Sequence, residues 1–311
     1  AESRKTFAEK KPEFIQEILN IRNDILNNKE LSERIRHKYS IKNVTGLNIL
    51  PFIYYDDPFD IIAHLLVGSE GTLAFMSEVT VKTEHDFPFK ASAMLYFRDI
   101  REACKAVVMF SKLQDKAGKS IVKGAELLDK KSLSSVNDTT GEGLTAILTE
   151  VKGNSQEELA EHIAVITKSL ENYELAVPVY FTDKEKEYSK YWAIRSGIFP
   201  SVGGTRPVGT TCLIEDVAFH IQDLPSAVAD LQDLMEKHGY HDACIYGHSL
   251  EGNFHFIINQ SFDTEQEIQR YENMMNDVIA LVVDKYDGSL KAEHGTGRNM
   301  APFVEYEWGK D

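Results

Sequence analysis

At 311 residues, with 42% hydrophobic and 27% charged side chains, the chain is long enough for one large core or two smaller ones. Its net charge of −15 argues against nucleic acid and against an anionic membrane surface as partners. An acidic protein captures an anionic small molecule only through a local arginine, lysine or metal ion. No run approaches the roughly 18–20 unbroken apolar residues of a membrane span. The first 14 residues contain no apolar secretory core. Cys104, Cys212 and Cys244 are scattered and odd in number. They read as structural thiols in a reducing, cytoplasmic setting, with no iron–sulfur cluster in this stretch. The missing initiator Met and the abrupt end at Asp311 lead us to expect a piece of a longer protein.

Apolar residues at helical spacing predict a helix from Pro12 to about Asn28, with proline in its first turn. A second helix is expected over Ser32 to Lys38, and residues 39–52 are irregular. Asp57-Pro58 precedes a short apolar helix, Ile61 to Leu66. Gly68-Ser69-Glu70-Gly71-Thr72-Leu73 is a glycine-punctuated turn that feeds a strand from Phe75 to Thr83. A domain boundary falls near residue 84. Beyond it a strand–helix–strand pattern occurs twice. The first copy is Ala91–Phe97, a helix from Ile100 to Leu113, and Leu144–Val151. The second is Leu213–Phe219, a helix from Leu224 to Lys237, and strands at Ala243–Tyr246 and Phe254–Ile258. Further helices are expected over Ser155–Leu170, Asp183–Ile198 and Thr264–Lys285. Two such units in one antiparallel sheet, with helices on one face, predict a ferredoxin-like α+β layer.

Four stretches carry chemistry. In the first, His248 and His255 flank a turn-like Leu250-Glu251-Gly252-Asn253. A hairpin there lets two imidazoles face each other and hold a divalent metal; the alternative is two unrelated polar residues beside a surface turn. In the second, Glu293 and His294 sit between small residues. Glu293 is a candidate third metal ligand and His294 a candidate general base; the alternative is a solvated glycine-rich loop. Arg195 is a candidate carboxylate clamp. Its alternative is charge complementarity at a helix C-terminus. Arg206 and Lys291 are weaker candidates of the same kind. Finally, the bare backbone of Gly68, Ser69, Glu70, Gly71, Thr72 and Leu73 suits close approach of a phosphate or flavin chain. It is neither a Walker loop nor a Gly-x-Gly-x-x-Gly pattern.

The order of these motifs resembles the flavin-linked oxidase family of the vanillyl-alcohol-oxidase type. That order is Val67-Gly-Ser-Glu-Gly-Thr-Leu73, then Arg195, Glu215-Asp216-Val217-Ala218, Gly-His-x-x-x-Gly-Asn-x-His ending at His255, and Glu-His-Gly-x-Gly-Arg ending at Arg298. The group includes cytochrome-type D-lactate dehydrogenase, the glycolate oxidase flavin subunit and D-2-hydroxyglutarate dehydrogenase. Lys42–Gly46 and Tyr55–Pro58 look most like a branch often fused to a C-terminal iron–sulfur module. The resemblance implies that residues 1–84 end the FAD-binding domain and that 85–311 form the substrate, or cap, domain. It implies that 68–73 line FAD and that His248, His255 and Glu293 bind zinc or manganese. His294 would take the substrate hydroxyl proton, and Arg195 would hold the substrate carboxylate. The expected activity is FAD-dependent oxidation of a D-2-hydroxy acid. The electron acceptor would be an iron–sulfur module, quinone, cytochrome or electron-transfer flavoprotein, with a homodimer and peripheral attachment to the inner membrane among the expected assemblies. Ile257, Phe199 and Ala74 depart from relatives that carry Asn, Thr and Gly there. The family's pyrophosphate loop and Asn-Pro-Gly segment lie outside this sequence, so this stretch alone is expected to bind FAD weakly. Rival expectations are a metal-free alcohol oxidase or dehydrogenase of the same family, a non-catalytic ferredoxin-like binding module, and a metallohydrolase.

Overall fold

The computed structural model describes residues 2–310. They form two compact units, one of residues 2–82 with 289–310 and one of residues 83–288.

The first unit begins with α1 (Glu2–Lys10), α2 (Pro12–Asn27), α3 (Lys29–Lys38), α4 (Pro51–Tyr54) and α5 (Pro58–Leu65). Pro12 opens α2 where its missing N–H costs nothing. Asn28 closes α2 and caps α3, its side chain accepting from the Leu31 N–H. Asp57 caps α5 through the N–H groups of Phe59 and Asp60. Ile18, Ile25, Ile35, Phe52, Ile53 and Ile61 make this unit's core. The strand expected over 75–83 does not form: these residues carry no regular structure, and Phe75, Val79 and Val81 are exposed. Alternation alone does not make a strand. It needs a partner to take its backbone hydrogen bonds, and none of the described strands pairs with it.

The second unit runs β1 (Phe89–Phe97), α6 (Ile100–Phe110), β2 (Val122–Leu128), α7 (Lys130–Ser135), β3 (Thr145–Gly153), α8 (Gln156–Ser169), α9 (Glu185–Thr205), β4 (Thr211–Ala218), α10 (Leu224–Lys237), β5 (Cys244–His248), β6 (Asn253–Gln260) and α11 (Glu265–Ile279). Its sheet is antiparallel with the order β1-β3-β2-β5-β6-β4. The repeat expected from the sequence is present and longer, a strand–helix–strand–strand unit used twice. The added strand is β2, which meets β5 at the seam between the two halves. Side-chain caps from Asp99, Ser155 and Thr264 start α6, α8 and α11. Helices α6, α8 and α10 lie on one face, as expected, and α7 and α9 pack on the other.

On the α9 face, Tyr96, Ala146, Leu128, Tyr246, His255 and Asp216 are successive cross-strand partners through all six strands. Directly opposed residues project to the same side of a sheet. The adjoining row on that side is Met94, Leu148, Glu126 and His248.

Residues 289–310 return to the first unit and include α12 (Gly297–Met300) and α13 (Val304–Trp308). Fully buried Glu307 joins this return to the N-terminal helices. Its Oε1 accepts from Asn43 Nδ2 at 2.7 Å and pairs with Lys38 Nζ at 3.3 Å, while Oε2 accepts from the Leu290 N–H at 2.9 Å. Trp308 Nε1 donates to Thr45 O at 2.9 Å. Removing one partner of a buried ion pair typically costs about 3–5 kcal/mol because the other charge is stranded. We therefore expect Glu307→Ala to lower the denaturant midpoint of unfolding by that order. Exposed Glu305→Ala serves as the control and should change stability by less than about 0.5 kcal/mol. Equal effects of the two would exclude the role given to Glu307.

Candidate active site

The β5–β6 hairpin positions the two histidines expected to face each other. Residues Ser249–Glu251 make one turn and Gly252 follows at φ 67°. A Cβ at Gly252 would strike the Phe219 carbonyl oxygen, so only glycine serves there. The fold brings the His248 and His255 ring centroids to 5.6 Å with their planes nearly perpendicular. One ring nitrogen of each lies within 4.8 Å of the other. Asp216, paired with His255 in register and fully buried, brings a carboxylate oxygen within 4.8 Å of His255.

Glu126, on β2, organises this side of the sheet. Its Oε1 lies 2.6 Å from His248 Nδ1, and its Oε2 accepts from Arg195 Nε at 2.9 Å. Burial pushes the Glu126 carboxyl up. The hydrogen bond from His248 and the charges of His248 and Arg195 outweigh this and hold it below the usual glutamate range. With Nδ1–H directed at the carboxylate, His248 keeps its lone pair on Nε2. This is the arrangement by which a carboxylate orients a metal-binding imidazole.

Arg195 lies in the middle of α9, which runs to Thr205 through Pro200. This corrects the expectation that it sits at a helix end, and it removes the C-terminal-charge alternative. Its guanidinium carbon lies 4.9 Å from the centre of the Tyr246 ring. Burial foremost pushes the Tyr246 hydroxyl up to about 12, so that phenol stays neutral. Glu126 takes the Nε–H, and the terminal amino groups of Arg195 make no hydrogen bond with a described residue. They are the two donors a carboxylate accepts side by side. Arg206, by contrast, closes the turn after α9 by donating to Gly203 O and Thr210 O.

Glu293 and His294 belong to the first unit. Glu293 Oε2 pairs with Lys42 Nζ at 2.8 Å, and its Oε1 lies 4.0 Å from His294 Nε2. Lys291 is buried, and its carbonyl accepts from the Val44 N–H. The turn at 68–73 is in this unit too. Gly68, Glu70 and Gly71 have positive φ, the Ser69 hydroxyl donates to Leu66 O, and the Thr72 hydroxyl donates to Ser69 O. Both hydroxyls close the turn. What the turn can offer a flavin chain is therefore bare backbone: the space beside Gly71 is open within 4 Å, which fits close approach of a cofactor. The Glu70 carboxylate lies against Gly295, where a Cβ would collide with it.

Sequence reasoning missed Glu126 and gave Asp216 no role. Glu126 lies in Val122-Lys-Gly-Ala-Glu-Leu-Leu128, whose Ala, Glu and Leu favour helix over strand. One signal was available: the second half of the repeat has three strands, so the first half required one between Leu113 and Leu144. The cysteine expectation agrees with the fold. All three are free thiols, and burial raises the pKa of Cys104 and Cys244.

Residues 88–311 match the family model described as "FAD linked oxidases, C-terminal domain". The chain belongs to the FAD-linked oxidases. It is 25% identical to glycolate oxidase subunit GlcD of Bacillus subtilis, over 80% of this chain and 52% of that protein. It is 25% identical to the mitochondrial D-lactate dehydrogenase [cytochrome] of Arabidopsis thaliana, over 80% and 42%. With the mitochondrial D-2-hydroxyglutarate dehydrogenase of the same plant the identity is 26%, over 85% and 46%. The chain thus spans about half the length of the curated relatives it matches. Membership implies FAD as cofactor. No helix among the described residues is long and apolar enough to cross a membrane.

The depressed Glu126 carboxyl sets a pH dependence. Its ionised form contributes stability in full above the ordinary glutamate pKa of about 4.3, and that contribution fades as pH falls through the lower folded value. The stability lost in Glu126→Gln, measured by urea unfolding, should be greatest near neutrality and shrink below about pH 4. A loss that stays constant down to about pH 3 would separate it from the carboxylate charge.

Proposed function

We propose that the full-length protein carries out FAD-dependent oxidation of a D-2-hydroxy acid, of the D-lactate or D-2-hydroxyglutarate type, to the 2-keto acid. The observation that carries this reading is the Glu126 carboxylate shared between His248 and Arg195. One oxygen fixes an imidazole in the tautomer a metal needs, beside a second, buried imidazole. The other oxygen fixes a guanidinium whose outer edge is left for an anion. An α-hydroxy acid presents that pair of groups to a protein: a carboxylate for Arg195 and a hydroxyl for a Lewis acid.

His248 and His255 are the metal ligands of the sheet unit. The nitrogen and oxygen donors fit zinc or manganese. Glu293, as third ligand, and His294, as acceptor of the hydroxyl proton, are assigned from the sequence pattern. The turn at 68–73 is assigned to FAD on the same basis. When bound, FAD supplies the two-electron redox centre that takes the hydrogen from the substrate carbon, and the metal supplies charge that lowers the hydroxyl pKa. Arg195 orients the carboxylate. Tyr246, neutral and stacked beneath the guanidinium, keeps that side chain from swinging away. Electrons then leave to an acceptor such as an iron–sulfur module, a quinone, a cytochrome or an electron-transfer flavoprotein.

The test is His255→Ala in the full-length protein, read by metal content and by turnover of D-lactate and D-2-hydroxyglutarate. Both readouts should collapse. Unchanged metal content together with unchanged turnover would remove the metal role. Glu126→Gln should weaken metal binding by about 10–100-fold without abolishing it, as expected for a group that orients a ligand. Arg195→Ala should raise KM for the hydroxy acid more than it lowers kcat. An unaltered KM would exclude the carboxylate clamp.

A further inference from the structure

A second group of metal-type ligands lies elsewhere in the sheet unit. Glu158 and His162 stand four residues apart in the first turns of α8, so they share one face of the helix. Asp115 comes from the turn before β2, where Gln114 and Ser120 bridge. One ligand atom of each of the three lies within 4.8 Å of the other two. They line a cleft of about 270 Å³ beside the apolar side chains of Ile121 and Val165.

Each ligand is held by one atom, and its other atom is left over. Asp115 Oδ1 accepts from the Ala117 and Lys119 N–H groups, both at 2.8 Å. Glu158 Oε2 accepts from the Asn154 N–H at 2.6 Å and from its Nδ2 at 3.0 Å. His162 Nδ1 lies 3.1 Å from Lys152 O, a contact in which only a protonated Nδ1 can donate. That fixes the tautomer and leaves the lone pair on Nε2. His162 is only 7% exposed, and its Nε2 makes no hydrogen bond with a described residue. A buried imidazole nitrogen left unsatisfied beside two carboxylates costs free energy unless something fills the gap. A backbone carbonyl behind the ring is the usual support of a metal-bound histidine. At the rim Lys116 is ion-paired to Glu161 at 2.7 Å, so its charge is already compensated.

We propose that Asp115, Glu158 and His162 form a structural binding site for a first-row divalent cation such as zinc or cobalt. The site staples the start of α8 to the turn that leads into β2. One imidazole and two carboxylates suit such ions.

The chelator-treated protein is titrated with Co2+, followed by visible absorption and by melting temperature. The wild type should take up one tight equivalent that survives in His255→Ala, which removes a ligand of the other candidate site. Asp115→Asn, at a surface turn where the fold tolerates it, and His162→Ala should each lose that equivalent. Their affinity should fall by about 100-fold or more, beyond what a merely supporting group causes. The cobalt-induced rise in melting temperature should vanish with it. If both variants bind as many equivalents as wild type with unchanged affinity, or if His255→Ala alone abolishes all tight binding, the proposal is overturned.

Discussion

A carboxylate buried between an imidazole and a guanidinium governs the α9 face of the sheet. Glu126 is on the strand that begins one side of the central seam, and His248, its cross-strand partner, ends the strand on the other side. The seam has only three residue pairs, Glu126–His248, Leu127–Gly247 and Leu128–Tyr246. One of them is therefore an ionic hydrogen bond. Arg195 ties α9 to the same group. A charge at 6% exposure is tolerated only when it is paired, and here each oxygen has a cationic or donating partner. Chemistry and architecture rest on the same contact, since the bond that fixes the imidazole's tautomer also closes the two halves of the sheet.

Much of the architecture was legible in the amino-acid pattern, for identifiable reasons. Residues 91–97 and 254–258 are rich in apolar and aromatic side chains, and the helices are announced by Asp, Ser or Thr at their caps. The hairpin between His248 and His255 was visible because Gly252 marks the turn. What was hidden depended on long-range pairing. Residues 122–128 have weak strand propensity and are held in the sheet by β3 on one side and β5 on the other. Residues 75–83 have the opposite problem, a strand pattern with no partner strand to realise it. Glu126 was missed because its strand was missed, and the position of Arg195 in its helix was misjudged because Pro200 reads as a stop signal.

An acidic body facing an anionic substrate needs its positive potential concentrated at one point. The arrangement around Arg195 does this economically. Its Nε is committed to Glu126, its face to Tyr246, and its outer edge to neither. The commitments remove the torsional freedom that an arginine otherwise loses on binding. The family relationship gives this local geometry its context, with FAD as the shared cofactor.

The return of residues 289–310 to the helices at the other end of the polypeptide makes the first unit discontinuous, with 206 residues of sheet unit inserted into it. Lys38 and Asn43 are synthesised long before the carboxylate that satisfies them. On the ribosome the inserted sheet unit is complete while its host still lacks its last pieces. The host must close a loop of more than 200 residues to gain Glu307, a late and non-local step. Folding order therefore runs against chain order, with the middle of the polypeptide settling first and its N-terminal helices waiting for the far end.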